Sequence, residues 1–248
     1  MPSTSRSGCL SCGAEIVYLP AAEPVTCAGC GATAESRARC AAGHFFCDDC
    51  HAGDAGDAVE RICASAEEVD PVAIALRAMR HPAVKMHGPE HHFLVPAALL
   101  AAWSNGRSEG GERPGRVAEA RWRARPLAGG MCGTQGACGA AVGTGIFASI
   151  ALGATPLSAD AWRRAQLVTS RALRVVAESG GPRCCKRDGW LAILEGARFA
   201  REELGVVLPA QGPSCDFSDL NRQCIGDVCP FHRPPAGPPP GPDARAAP

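Results

Sequence analysis

The chain has 248 residues, 15 of them cysteine, with 25 basic against 25 acidic side chains and no net charge. That length carries one large or two small domains with their own core, and the balanced charge supplies no field to draw the chain onto nucleic acid or an anionic membrane. The cysteine share, about 6 %, stays below that of a disulfide scaffold, an odd thiol count excludes complete pairing, and the opening residues MPSTSRSGCLSCG hold no apolar signal segment, so reduced thiols and a cytoplasmic location are expected.

In chain order, residues 1–8 are expected to form a disordered leader. Residues 9–52 are expected to form a double zinc-binding module with short β elements, 53–232 a helical cysteine-rich domain, and 233–248 (RPPAGPPPGPDARAAP) a disordered Pro/Gly-rich tail. The fold class is therefore mainly α, with a small β-containing module in front. Residues 55–67 form a short helix or linker. Asp70-Pro71 opens a clear helix, with Asp70 as N-cap and Val72, Leu76 and Met79 on one side, closed by His81-Pro82. Gly88-Pro89 opens the next, running to Trp103 with Pro96 as a kink site. Residues 104–114 (SNGRSEGGERP) read as a polar loop, and 115–125 as a basic helix.

Residues 126–159 carry no charge, but the stretch is rich in glycine and alanine, so a buried core helix over 137–152 is expected rather than a membrane span. Gly139 and Gly143, four apart, let a neighbour approach closely. Ser158 caps a helix that places Trp162, Ala165, Thr169, Leu173 and Val176 on one face. A last helix, roughly 183–204, buries Leu191, Leu194 and Ala197 and stops at Gly205.

The first group of thiols is Cys9-x2-Cys12, Cys27-x2-Cys30 and Cys40-x3-His44-x2-Cys47-x2-Cys50. Eight such ligands fit two structural zinc ions, because Cys-x2-Cys puts two thiolates on one tight turn. Gly13 and Gly31 let two of those turns close. The spacing leaves two pairings open. A sequential one joins Cys9, Cys12, Cys27 and Cys30, then Cys40, His44, Cys47 and Cys50. An interleaved one, which we favour, joins Cys27, Cys30, Cys47 and Cys50, then Cys9, Cys12, Cys40 and His44. From Cys27 to Cys50, with Gly43-His44-Phe45-Phe46-Cys47, the segment resembles the first six ligands of a RING-type cross-brace; the whole resembles a permuted RING-like or zinc-ribbon module. The permutation carries over no ubiquitin-ligase activity. Metal in so small a segment replaces a core. His51 and Cys63 fall outside the ligand set.

The second group is Cys132, Cys138, Cys184, Cys185, Cys215, Cys224 and Cys229, read as cofactor ligands. Cys184 and Cys185 sit in the first turn of a helix with Arg183, Lys186 and Arg187 beside them, so lowered thiol pKa values are expected there. Cys132 and Cys138 flank glycines whose amides are free to meet an anion or cluster sulfides. Cys215-x8-Cys224-x4-Cys229-Pro230 has the cysteine–proline ending of iron–sulfur sequences, with zinc plus His232 as the alternative. His87 and His91 are candidates for metal ligation or acid–base work, with Lys186 and Asp188 as polar partners or surface salt-bridge residues.

The motifs HPAVKMHGPEHH (81–92), CGTQGACGAAVGTG (132–145), GGPRCCKRD (180–188) and Cys224-Ile225-Gly226 with Cys229-Pro230-Phe231 resemble the prokaryotic domain-of-unknown-function family numbered 5714, over about residues 9–232. The resemblance implies no established activity; it implies that the cysteine motifs belong to one domain. The expected function is a metal-binding protein with two structural zinc ions. An iron–sulfur or other thiolate-ligated centre in its helical domain would serve redox or sulfur-transfer chemistry. Cys184, Cys185, Lys186, His87 and His91 are the expected catalytic residues. A small molecule or redox protein is the expected partner, not nucleic acid or membrane. A non-catalytic zinc-stabilised adaptor is the alternative. An RNA-binding reading on the arginines of 113–125 is set aside by zero net charge and the single tyrosine.

Overall fold

A computed structural model describes residues 9, 14–47 and 54–232. The leader, the C-terminal tail, Cys12, Gly13, Cys50 and His51 lie outside the described residues.

Strands β1 (Ile16–Thr26) and β2 (Thr33–Cys40) form an antiparallel hairpin, paired from Ile16 with Cys40 to Thr26 with Thr33, with a register shift between Tyr18 and Glu23. The chain reverses between them at Gly31, whose φ of 79° suits glycine and whose amide donates to the Cys27 carbonyl at 2.9 Å. Among the described hairpin residues, the buried side chains are Cys9, Cys27 and Cys40, while Tyr18 stands 81 % exposed. An apolar core does not hold this hairpin.

Eight helices follow among the described residues: α1 (Ala55–Ser65), α2 (Pro71–Met79), α3 (Glu90–Gly106), α4 (Arg113–Ala124), α5 (Met131–Thr134), α6 (Gly139–Leu152), α7 (Ala159–Glu178) and α8 (Cys185–Leu204). The start signals act as read. Asp70 accepts from the amides of Val72 and Ala73, with Pro71 at the first helical position, and Asp54 caps α1 through the Asp57 amide. Helix α3 is apolar on every side and is the central element, packed against α1, α2, α4, α6 and α8. Helix α7 covers α6 and α8 from outside. No helix among the described residues is long and apolar enough to cross a membrane.

Small residues set how closely α6 approaches its neighbours. A Cβ on Gly143 would lie 2.8 Å from the His92 carbonyl oxygen and 2.8 Å from Pro96 of α3, and one on Gly139 would overlap the His92 ring. Gly143→Ala is therefore expected to lower stability by about 1–3 kcal/mol through overpacking against backbone, read as a lower urea midpoint.

Several boundaries differ from expectation. Helix α8 starts at Cys185, with Cys184 as its N-cap, and α3 runs three residues past Trp103, shortening the loop before α4. The buried face of α7 is Ala165, Val168 and Ala172, and Trp162 is half exposed. The close contact of Gly145 with Thr169 brings α6 and α7 together on small residues. Ser158 holds the N-cap position, but its hydroxyl bonds to Thr155 instead of the helix amides.

After α8 the chain turns back as an irregular segment with two 3₁₀ turns, Ser218–Leu220 and Gly226–Val228. Trp190 of α8 holds it, with Phe217 and Phe231 at centroid distances of 6.0 and 5.3 Å. The Cys215 amide donates to the Phe231 carbonyl at 2.7 Å, and Arg80 pairs with Asp216 at 2.6 Å. These contacts lay Cys215, Cys224 and Cys229 beside the first turn of α8.

Candidate functional site

The hairpin places six thiol and imidazole donors in two groups. Cys9, Cys40 and His44 form one, Cys27, Cys30 and Cys47 the other, with the donor atoms of each group within 4.8 Å of one another. Sγ of Cys30 and Cys47 stand 3.7 Å apart; Nδ1 of His44 is 3.8 Å from Sγ of Cys40 and 4.0 Å from Sγ of Cys9. Two thiolates on one tetrahedral ion with bonds of about 2.3 Å stand about 3.8 Å apart, so the groups have the spacing of two metal sites. They follow the interleaved order. Backbone amides support the sulfurs: Cys47 N–H donates to Cys27 at 3.4 Å and Ala42 N–H to Cys40 at 3.2 Å. Burial pushes the Cys27 thiol up, but the amides of Cys30, Cys47 and Gly29 and the Cys30 thiol outweigh it and bring it down to about 7. A thiolate is thus available near neutral pH.

The helical domain gathers its cysteines around the first turn of α8, in two places. On one side, Cys184, Cys215, Cys224 and Cys229 line a small cavity with Asn221 and His232, backed by Trp190 and Phe217. Three of these sulfurs accept backbone N–H groups: Cys184 from Arg187 at 3.5 Å, Cys215 from Phe217 at 3.4 Å and Cys224 from Gly226 at 3.5 Å. On the other side, Cys132 and Cys138 line a cleft of about 810 Å³ between the α5–α6 segment, α7 and the start of α8. Arg187 lines both spaces. Its Nε donates to Asp188 at 3.0 Å and its Nη2 to the carbonyls of Gly180 and Pro182, so the Arg187–Asp188 pair is the wall between them. Cys185 lines neither space; the Gly88 amide faces its sulfur.

The expectation of lowered thiol pKa values on α8 is overturned. Burial pushes Cys185 up to about 11, with the Asp188 and Cys138 charges adding to it. Burial likewise raises Cys184, Cys138 and Cys215. The cations beside these thiols are turned to other partners. Arg187 is spent on Asp188 and two carbonyls. Lys186 is 1 % exposed, donates to the Met79 carbonyl at 3.0 Å and lies 4.8 Å over the Phe217 ring. Burial lowers that ammonium to about 8. Lys186 and Asp188 are interior groups, not surface salt-bridge residues. Thiols so buried become thiolates when a cation binds them.

His91 is fully buried, with Nδ1 3.2 Å from the Gly88 carbonyl. That bond puts the ring proton on Nδ1 and leaves the Nε2 lone pair without a partner among the described residues. His87 Nε2 lies 3.1 Å from Asn221 Oδ1, which also accepts from the Gln223 amide, so Nε2 carries the proton and buried Nδ1 has no partner among the described residues. Burial first, then the Lys186 charge, hold His91 well below the usual imidazole range. The unfolded chain therefore takes up a proton near pH 6.5 that the folded chain refuses, and folding stability falls as pH drops below that value. The expected slope approaches about 1.4 kcal/mol per pH unit for one histidine kept neutral, and urea unfolding from pH 7.5 to 5 reads it; an equal slope in His91→Gln would refute the assignment.

Residues 59–232 match the Family of unknown function (DUF5714). The chain belongs to that family. The DUF5714 region begins inside α1 and takes in α8 and every cysteine from Cys63 onward, while the metal-site hairpin lies outside it. No curated protein and no solved structure matches the chain. Sequence reasoning missed Arg187 as the shared wall and Asn221 as the partner of His87, because long-range contacts leave no local pattern. Phe217 and Phe231, flanking the late cysteines in a chain with few aromatics, were a usable signal. Cys63 is an interior thiol that burial pushes up to about 12.

Proposed function

We propose that the chain is a metalloprotein whose helical domain holds an iron–sulfur cluster on Cys184, Cys215, Cys224 and Cys229, for electron or sulfur transfer, and whose hairpin is held by two structural zinc ions. The observation that carries it is the ring of four thiols around one cavity, three of them already receiving backbone N–H groups. Such N–H donors are the second shell that stabilises and tunes metal thiolates. Among the described residues, only the hairpin brings three such donors within 4.8 Å of one another, so these four thiols do not stand at the spacing of a single ion.

The cluster, when bound, supplies the redox couple or the sulfur. The chain's own residues hold it between α8 and the segment pinned by Trp190, Phe217 and Phe231, and shield it from water on that side. Reduced thiols, as in the cytoplasm, and a small molecule or redox protein as partner belong to the same reading. The test is purification without oxygen, with zinc, iron and acid-labile sulfide measured per chain. The expected result is two zinc ions together with iron and sulfide and a brown colour. A colourless protein carrying zinc alone would refute the cluster and favour a zinc-stabilised adaptor.

A further inference from the structure

The cleft on the far side of the Arg187–Asp188 wall is not needed to hold a cluster, and its lining has the make-up of a ligand site. One wall is apolar, from Leu173, Val176 and Ala177 of α7. Arg174 of the same helix lines it too, and the start of α8 and the segment before it add the guanidinium groups of Arg183 and Arg187 beside the carboxylate of Asp188. Arg174 is engaged by Glu178 at 2.7 Å. Arg183 makes no ion pair or hydrogen bond among the described residues. Arg187, which also lines the cleft, is 2 % exposed and uses Nε and Nη2 on protein acceptors, which leaves Nη1 without a partner among the described residues. A buried guanidinium with a spare donor calls for an acceptor, and a planar fork suits an oxyanion. Loop glycines at 130, 133 and 136 keep the floor open, beside the Cys132 thiol.

We propose that this cleft binds a small organic anion, its acid group held by Arg183 and the spare edge of Arg187, its apolar body laid along Leu173, Val176 and Ala177, beside the Cys132 thiol. The site goes beyond the cluster reading. It places a small-molecule substrate one side-chain pair away from the four-thiol cavity, as an enzyme needs and an adaptor does not.

Iodoacetate tests it directly, because it is a small organic anion that reports its own position. The Cys132 sulfur displaces iodide, the thiol proton passes to solvent, and the carboxymethyl thioether is read by peptide mass spectrometry. Protein isolated without oxygen is treated with iodoacetate or with neutral iodoacetamide at one pH. The ratio of the two rates at Cys132 is expected to exceed that of free cysteine by about tenfold, the worth of one charge-assisted hydrogen bond. It should return toward the free value in Arg183→Gln, a change at an exposed side chain that leaves the fold intact. Hexanoate should protect Cys132 from both reagents more strongly than inorganic phosphate does. A ratio equal to that of free cysteine, no change in Arg183→Gln, or a Cys132 closed to both reagents would overturn the proposal. Equal protection by phosphate would overturn the organic part of it. Iron and sulfide measured on the same sample keep the two readings separate, because labelling at Cys132 is readable with or without a cluster.

Discussion

Replacing Cys224 by serine is expected to strip iron and acid-labile sulfide from protein made without oxygen by more than about tenfold, with zinc and helix content unchanged. Loss of an outer-shell partner alone costs about 10–100-fold in metal affinity, and loss of a direct thiolate costs at least that. Among the four thiols Cys224 gives the cleanest test because it is the exposed one. Its removal creates no core cavity, so lost metal cannot be blamed on a lost fold. Serine keeps the size and accepts the Gly226 amide, but offers a hard oxygen where the site needs a soft donor. Cys185→Ser is the contrast. That side chain lines neither cavity, and iron and sulfide should stay as in the parent protein. Unchanged iron in Cys224→Ser, or iron lost from Cys185→Ser alone, would move the centre elsewhere.

What could be read from the sequence divides by range. Asp70-Pro71, Gly31 and the Gly139/Gly143 pair act within a turn or across one helix contact, and each does what its local chemistry requires. The hairpin ligands were legible because Cys-x2-Cys spacing is itself the geometry of a tetrahedral edge. The thiols around α8 were legible only as an inventory. Which thiols meet depends on Trp190 gripping Phe217 and Phe231, and on Arg187 turning inward to Asp188, both contacts made after the chain has folded. The pKa expectation failed on burial, which outweighs the backbone amides and the flanking cations of α8. The buried face of α7 was also misjudged: it is made of Ala165, Val168 and Ala172, and Trp162, which fits the period, stays half exposed.

Removing metal from the hairpin is expected to unfold residues 16–40 and leave the helical domain standing. The described hairpin buries three thiols and no apolar side chain besides them, and Tyr18 points into solvent. Two isolated strands are at best marginal in water. A structural zinc site contributes about 10–16 kcal/mol of binding free energy, which becomes folding free energy when no preformed site survives unfolding. The helical domain has its own continuous core around Leu94, Leu99, Phe147 and Trp190, and the Phe46–His81 ring contact at 5.1 Å is a small tie between the two. Cys27→Ser should therefore release zinc and expose the β1 and β2 amides to hydrogen exchange within seconds, while the α3 amides remain protected. Acid should act in the same direction as the substitution: protons compete with zinc for Cys27, whose metal-free thiol is brought down to about 7, so zinc affinity falls progressively below that pH and release follows at lower pH. Retained protection across β1 and β2 in metal-free protein would mean that the hairpin is held by contacts other than its ligands.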